Sequence, residues 1–202
     1  PELAREYFSY PSQVLNPAEK NSFGMTYGKF TDDTTMSLIA LASMLKNDGL
    51  VFGEIMYLFN DWRSKGFMSS TDICFDIGNQ TATAIEHYVS NGYTGIKKAP
   101  CTKMSQGNGS LMRIYPAALM YCNESSNVKS REFLSNKKSQ LYRGVNSAWV
   151  VHSLNKAMTV FLETNTYLSG IDLIVSEGGD ADTIASIYGA IAGAFYGLDD
   201  SI

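Results

Sequence analysis

Apolar residues recur every three or four positions along most of this 202-residue chain, the period of a helix with one buried face. After "TDDT" at 31–34, Leu38, Leu41, Ala42 and Leu45 predict one such stripe. Phe52, Ile55, Met56, Phe59 and Trp62 predict a second. Ile85, Tyr88 and Val89, within "IGNQTATAIEHYVSNG", predict a third that stops at Asn91-Gly92, a pair suited to the left-handed turn after a helix. Val151, Leu154, Met158, Phe161 and Leu162 predict a fourth, and Ile184, Ile187, Tyr188, Ile191 and Phe195 a fifth. Only "IDLIV" at 171–175 is short and apolar enough to be read as either strand or helix. The polar stretch Asn123–Lys138 reads as an exposed loop or a solvated helix. The expected fold is all-α: a compact multi-helix bundle forming one domain over residues 1–202.

Composition narrows the class. Hydrophobic residues make up 45% of the chain, enough for a sizeable core, and the net charge of −4 gives no reason to expect nucleic acid or a membrane surface as a partner. No apolar run reaches the ~18 residues of a membrane span. The opening "PELAREYFSY" is mixed and charged, unlike a signal peptide. Because the chain opens on Pro1 and not Met, its first residue is not read as the natural start. Cys74, Cys101 and Cys122 lack metal-ligand spacing and read as reduced thiols of a cytoplasmic protein, expected to be a monomer.

Chemistry concentrates at two helix mouths. "KFTDDTTMSLIALASML" (29–45) and "EGGDADTIASIYGAIAGAFYG" (177–197) each place acidic residues and a threonine just ahead of an apolar stripe. One reading is capping, since a carboxylate is favoured at the positive end of a helix. One carboxylate suffices for that, and a second beside it is repelled. A hard divalent cation supplies the missing reason, because carboxylate and hydroxyl oxygens are its ligands. Together the clusters offer four carboxylates, Asp32, Asp33, Asp180 and Asp182, with the hydroxyls of Thr31 and Thr183, enough for two cations. In the last helix Ala185, Gly189 and Gly193 form a strip of small residues, against which another helix is expected to pack closely. "SQGNGSLMRIYPAAL" (105–119) is a Gly-rich loop leading into a helix, a setting in which backbone N–H groups can meet a phosphate, or simply a turn.

Four stretches carry a family resemblance: "FTDDTTM" (30–36), "DIGNQT" (76–81), "GNGSLMR" (107–113) and "GGDADTIASIYGAIAGAFYG" (178–197). Their order and spacing resemble the ADP-ribosylglycohydrolases, which include dinitrogenase reductase-activating glycohydrolase and ADP-ribosylarginine and ADP-ribosylserine hydrolases. The resemblance covers about residues 28 to 198. It implies an all-α fold with a binuclear magnesium or manganese centre, and cleavage of ADP-ribose from a modified protein side chain or a small ADP-ribosyl conjugate. It implies metal contacts from Thr31, Asp32, Asp33, Asp180, Asp182 and Thr183, with Asp182 between two ions and with Asp32, Asp33 and Asp182 catalytic. It implies that Ser105, Gly107, Asn108 and Gly109 hold the diphosphate or adjacent ribose, and that Asp76 lies near the metal-side ribose. Arg113 is expected to be a structural ion-pair partner and not a ligand. If the loop serves the ligand and not the core, Asn108→Ala or Gly109→Val weakens ADP-ribose binding and leaves the fold intact. The family's Gly-Asp-Ala helix and Thr-His-x-His segment have no match; the latter's place falls at "SQLYRGVNSAWVV" (139–151). The chain is short for the family at both ends.

Two other readings share parts of this pattern. A non-catalytic, ADP-ribose-binding or crystallin-like member of the same family would keep the fold without turnover. A haloacid-dehalogenase-like phosphatase shares the "DAD" pattern but needs a buried strand directly before it, and here "EGG" intervenes.

Overall fold

The first acidic cluster does open a helix, and the acids decide which way that helix faces. In the computed structural model, which describes residues 24–26, 28–97, 105–121 and 146–197, α1 runs over Asp32–Asn47. Its buried face carries Met36, Ile39, Ala40, Ser43 and Met44, in line with Asp32, Asp33 and Ser37. The expected stripe is therefore out of phase: Leu41 is exposed and Leu45 is 69% exposed. Packing the carboxylates inward at the first turn fixes the rotation of the whole helix, because residues three and four apart share a face.

The elements that follow are α2 (Phe52–Lys65), α3 (Asn79–Asn91), α4 (Tyr93–Lys97), a 3₁₀ turn (Asn108–Ser110), α5 (Tyr115–Tyr121), α6 (Val150–Glu163), α7 (Tyr167–Glu177) and α8 (Ala181–Tyr196). Among the described residues every regular element is helical, as the all-α expectation requires. "IDLIV" lies inside α7, so no strand precedes Asp180 and the phosphatase reading lapses. Residues 123–138, Cys101 and Cys122 lie outside the described residues.

The chain divides into two compact units: Gly28–Met120, and Pro1–Tyr27 with Tyr121–Ile202. In the unit 28–120, α2 packs against both α1 and α3. Ile55, Phe59 and Trp62 of α2 join Met36, Ile39, Ala40, Ile85 and Met112 in one buried cluster. Each large side chain among them is worth roughly 1.5–3 kcal/mol over leaving it in water. α2 ends on Gly66 in the left-handed region, where a Cβ would come 2.2 Å from the Asp72 carbonyl oxygen, so only glycine fits. Gly92 closes α3 at the expected Asn-Gly boundary.

In the other unit α8 packs on both α6 and α7. Tyrosine and glycine are exchanged between α7 and α8. The fully buried Tyr188 ring of α8 lies so close over Gly170 that a Cβ there would sit 2.1 Å from it, and Tyr167 of α7 lies over Gly189 and Gly193. The small strip thus receives a tyrosine ring and not a bare helix backbone. The Tyr188 hydroxyl donates to the last carbonyls before and at the start of α7, Thr166 O (3.0 Å) and Tyr167 O (3.2 Å). α6 departs from its expected stripe in its first half: Val151 and Leu154 are exposed, while Ser153, Lys156 and Ala157 are buried.

Candidate functional site

The first acidic start is built from the unit 28–120. Asp32 is 6% and Asp33 2% exposed, so two adjacent carboxylates are removed from water in one helical turn. The N-cap residue Thr31 makes no side-chain cap; its hydroxyl donates to Asp33 Oδ2 at 3.1 Å. The approach to the helix is pinned by Ser70, whose hydroxyl accepts from Phe30 N (2.9 Å) and donates to Phe30 O (2.7 Å). Ser37 Oγ donates to Asp33 O (2.7 Å) and to Met112 O (3.4 Å), joining the cluster to the segment after the 3₁₀ turn. Arg113 lies on that segment. Burial lowers its pKa to about 10, and the nearby Asp32 charge pulls it back up. Its guanidinium stands 5.3 Å from the Phe59 ring centroid and donates to Thr81 Oγ1 at 3.2 Å. Burial, and then the charge of Asp32, raises the pKa of the half-buried Cys74 thiol.

The two weaker motifs meet in the same unit. Gln80, at the start of α3, donates through Nε2 to Ser105 O and accepts at Oε1 from Gly107 N, both at 3.3 Å. "DIGNQT" is thereby clipped to the Gly-rich loop. Next to the clip, a Cβ on Gly109 would come 2.9 Å from Thr81 Oγ1, and Asn108 is buried. The expectation that Gly109→Val leaves the fold intact is therefore corrected: this stretch packs against α3 as well as presenting an edge. Ser105, Gly107 and Gly109 keep partial or full exposure. The loop leads into the 3₁₀ turn, and Leu111 N and Met112 N are bonded back to Asn108 O. Asp76 is exposed in left-handed backbone (φ 57°), a conformation that Asp tolerates better than most residues.

The second acidic start is held differently. Gly178 (φ 67°) and Gly179 (φ 70°) turn the chain between α7 and α8 in conformations that suit glycine. Asn146, 8% exposed, donates from Nδ2 to Ile174 O (3.2 Å) and Gly178 O (2.6 Å). A Cβ on Gly179 would come 2.8 Å from Asn146 O. Lys156 of α6 and Glu177, the last residue of α7, form an ion pair at 2.6 Å, with the Lys156 side chain almost wholly buried. The turn delivers Asp180 as N-cap, again with no side-chain cap, then Asp182 exposed in the first turn of α8 and Thr183 buried behind it.

Neither acidic start uses its N-cap side chain to close its helix. The donors are carboxylate and hydroxyl oxygens, the set that suits magnesium or manganese and not softer ions. Within each unit taken alone, no three His, Cys, Asp or Glu side chains of the described residues gather as a ligand cluster. Sequence reasoning missed Asn146 and the Lys156–Glu177 pair. The doubled glycine before Asp180 was the one visible sign that something must grip that turn.

A family model described as ADP-ribosylglycohydrolase matches residues 2–133 and 124–200. The chain is similar to an "ADP-ribosyl-[dinitrogen reductase] glycohydrolase" of Rhodospirillum rubrum, 27% identical over 222 residues, 86% of this chain and 71% of that protein. It is similar to an "ADP-ribosylarginine hydrolase Tri1" of Serratia proteamaculans (strain 568), 26% identical over 233 residues, 88% of this chain and 62% of that protein. A Tri1 of Pseudomonas putida (strain GB-1) is 23% identical over 87% of this chain and 61% of its own. The chain thus spans about three fifths of the Tri1 proteins' length. A solved structure described as "ADP-ribosylglycohydrolase-related protein complex" shares the fold, with a TM-score of 0.62 over 94% of this chain and 79% of that one at 20% identity.

Proposed function

Because this chain belongs to the ADP-ribosylglycohydrolase family, we propose that it hydrolyses the glycosidic bond between ADP-ribose and a modified protein side chain or small conjugate, with divalent cations held by its two acidic starts. The observation that carries the reading is the burial of Asp32 and Asp33 side by side. The Arg113 guanidinium offsets part of the Asp32 charge, and a divalent cation would offset the repulsion that remains between the two adjacent buried carboxylates. Thr31, Asp32 and Asp33 at the start of α1, and Asp180, Asp182 and Thr183 at the start of α8, are the proposed oxygen ligands for magnesium or manganese. When bound, such ions would acidify a water and polarise sugar hydroxyls.

The chain's own groups take the remaining roles. Asp32, Asp33 and Asp182 orient the distal ribose, and one of these carboxylates accepts the proton of the attacking water as the oxocarbenium-like bond breaks. Ser105, Gly107, Asn108 and Gly109 offer backbone and small polar groups to the diphosphate, held in place by the Gln80 clip. Asp76 is assigned to the ribose on the metal side. Linkage to arginine is the first to test, since relatives are named for ADP-ribosylarginine hydrolysis. The experiment is time-resolved release of ADP-ribose from arginine- and serine-linked substrates, with magnesium or manganese and then with chelator. Metal-dependent release supports the reading. Binding of ADP-ribose with no release from any conjugate overturns it in favour of a non-catalytic member of the family.

A further inference from the structure

We propose that Asn146 is a positioning residue: it clamps the Gly178-Gly179 turn and so sets the direction in which Asp180 and Asp182 leave it. The proposal rests on the metal-binding reading above. Three observations carry it. Both amide N–H groups of Asn146 are spent on carbonyls at the end of α7, Ile174 O (3.2 Å) and Gly178 O (2.6 Å). These are orphan carbonyls of a helix C-terminus, which need donors from elsewhere. The opposite amide orientation would set Oδ1 against two carbonyl oxygens, so this one is forced. Second, the backbone of Asn146 closes on the turn as well, since a Cβ on Gly179 would meet Asn146 O at 2.8 Å. Third, Asn146 Oδ1 is buried and accepts no hydrogen bond among the described residues. An apolar residue would avoid that penalty, which marks Asn146 as kept for its donor side. One residue on from Gly179 the chain becomes the N-cap of α8, so a swing of the turn transfers directly to both carboxylates.

The test measures Mn2+ affinity of the full chain by the electron paramagnetic resonance of free Mn2+, with melting temperature read in parallel. Asn146→Ala is expected to weaken Mn2+ binding by about tenfold or more, a range in keeping with outer partners of metal ligands. Gly179→Ala, which attacks the same contact from the other side, is expected to do likewise with Asn146 in place. Val160→Ala, a core change in the same unit, should lower the melting temperature without moving Mn2+ affinity. If the unsubstituted chain binds no Mn2+, the metal reading fails and this proposal falls with it. If the unsubstituted chain binds and either turn variant binds equally well, or Val160→Ala weakens binding as much, the positioning role alone is overturned. Should Asn146→Ala fail to fold, Gly179→Ala decides.

Discussion

The two acidic helix starts look alike in sequence and are built on opposite principles. At α1 the carboxylates are part of the core face: Asp32 and Asp33 are buried in line with Met36, Ile39 and Ala40. At α8 Asp182 is exposed, and what is fixed is the backbone, through two left-handed glycines and the amide of Asn146. Burial makes the first pair electrostatically expensive and immobile. The turn leaves the second start dependent on a grip from elsewhere in its unit. Substitutions at the two starts should therefore fail in different ways.

The largest effect is expected in turnover. Asp32→Ala and Asp33→Ala should each lower metal-dependent ADP-ribose release by about three orders of magnitude or more. Binding of ADP-ribose should fall much less, because the loop at 105–109 is a separate segment. Steady-state kinetics with calorimetric titration would check this. An equal loss of binding and turnover would mean that the α1 pair only shapes the ligand pocket.

Stability without metal offers a sharper contrast. Asp33→Asn removes a buried charge while keeping an oxygen able to accept from Thr31, so the metal-free chain should melt higher. Asp182→Asn removes an exposed charge and should leave the metal-free melting temperature nearly unchanged. Adding magnesium or manganese at about a hundredfold over its dissociation constant should stabilise the unsubstituted chain by about 2.7 kcal/mol. Both variants should lose most of that gain. A metal-free Asp33→Asn that melts lower would show that the buried pair is satisfied by the protein itself.

These contrasts were only partly legible in the sequence. "IDLIV" in α7 reads as either strand or helix, but the existence of α1, α2, α3, α6 and α8 was legible, and so were boundaries with glycine stops such as Gly92. The orientation of α1 was not, because the leucines of a stripe are conspicuous and a buried face made of Asp, Ser, Thr and Met is not. Leu41 and Leu45 point outward since the acids and Ser37 take the inner side. The acidic and Gly-rich motifs were readable as candidates. The Gln80 clip and the Asn146 clamp were not, since each bonds backbone atoms at least 25 residues away, and a bond to backbone leaves no chemical signature at the accepting residue.

A smaller effect comes from packing beside the Gly-rich loop. Gly109→Ala forces a shift of Thr81 and, with it, of the Arg113 contact at 3.2 Å. A loss of roughly 1–3 kcal/mol is expected for such overpacking, read as a lower denaturant midpoint. Gly107→Ala meets only Gln80 Oε1 at 3.5 Å and should be nearly neutral to stability. Equal losses at both glycines would place the constraint in the loop backbone instead of the Thr81 contact.

The smallest effect lies at the other end of α1 and separates general acid sensitivity from that of the buried pair. Glu54 on α2 accepts from Lys46, from Ser43 Oγ at 2.8 Å and from Asn47, all near the last turns of α1. These bonds, Lys46 foremost, lower its pKa from 4.5 to about 2. A carboxyl whose pKa is lower in the folded chain stabilises most above its unfolded value and loses that contribution as pH falls through the folded one. The contribution of Glu54 should therefore be intact above pH 4.5 and fade as pH falls toward about 2. Lys46 is largely exposed, so water and salt screen the pair and the effect stays small. Melting curves of the unsubstituted chain and Glu54→Gln between neutral pH and the acid limit should differ at the top of that window and converge at the bottom. The metal-induced rise at neutral pH should be the same in both, because Glu54 belongs to the α1–α2 contact and not to the acidic start. Parallel curves through the window would show that Glu54 is not held in its charged form, and a lost metal response in Glu54→Gln would show that the two ends of α1 are not independent.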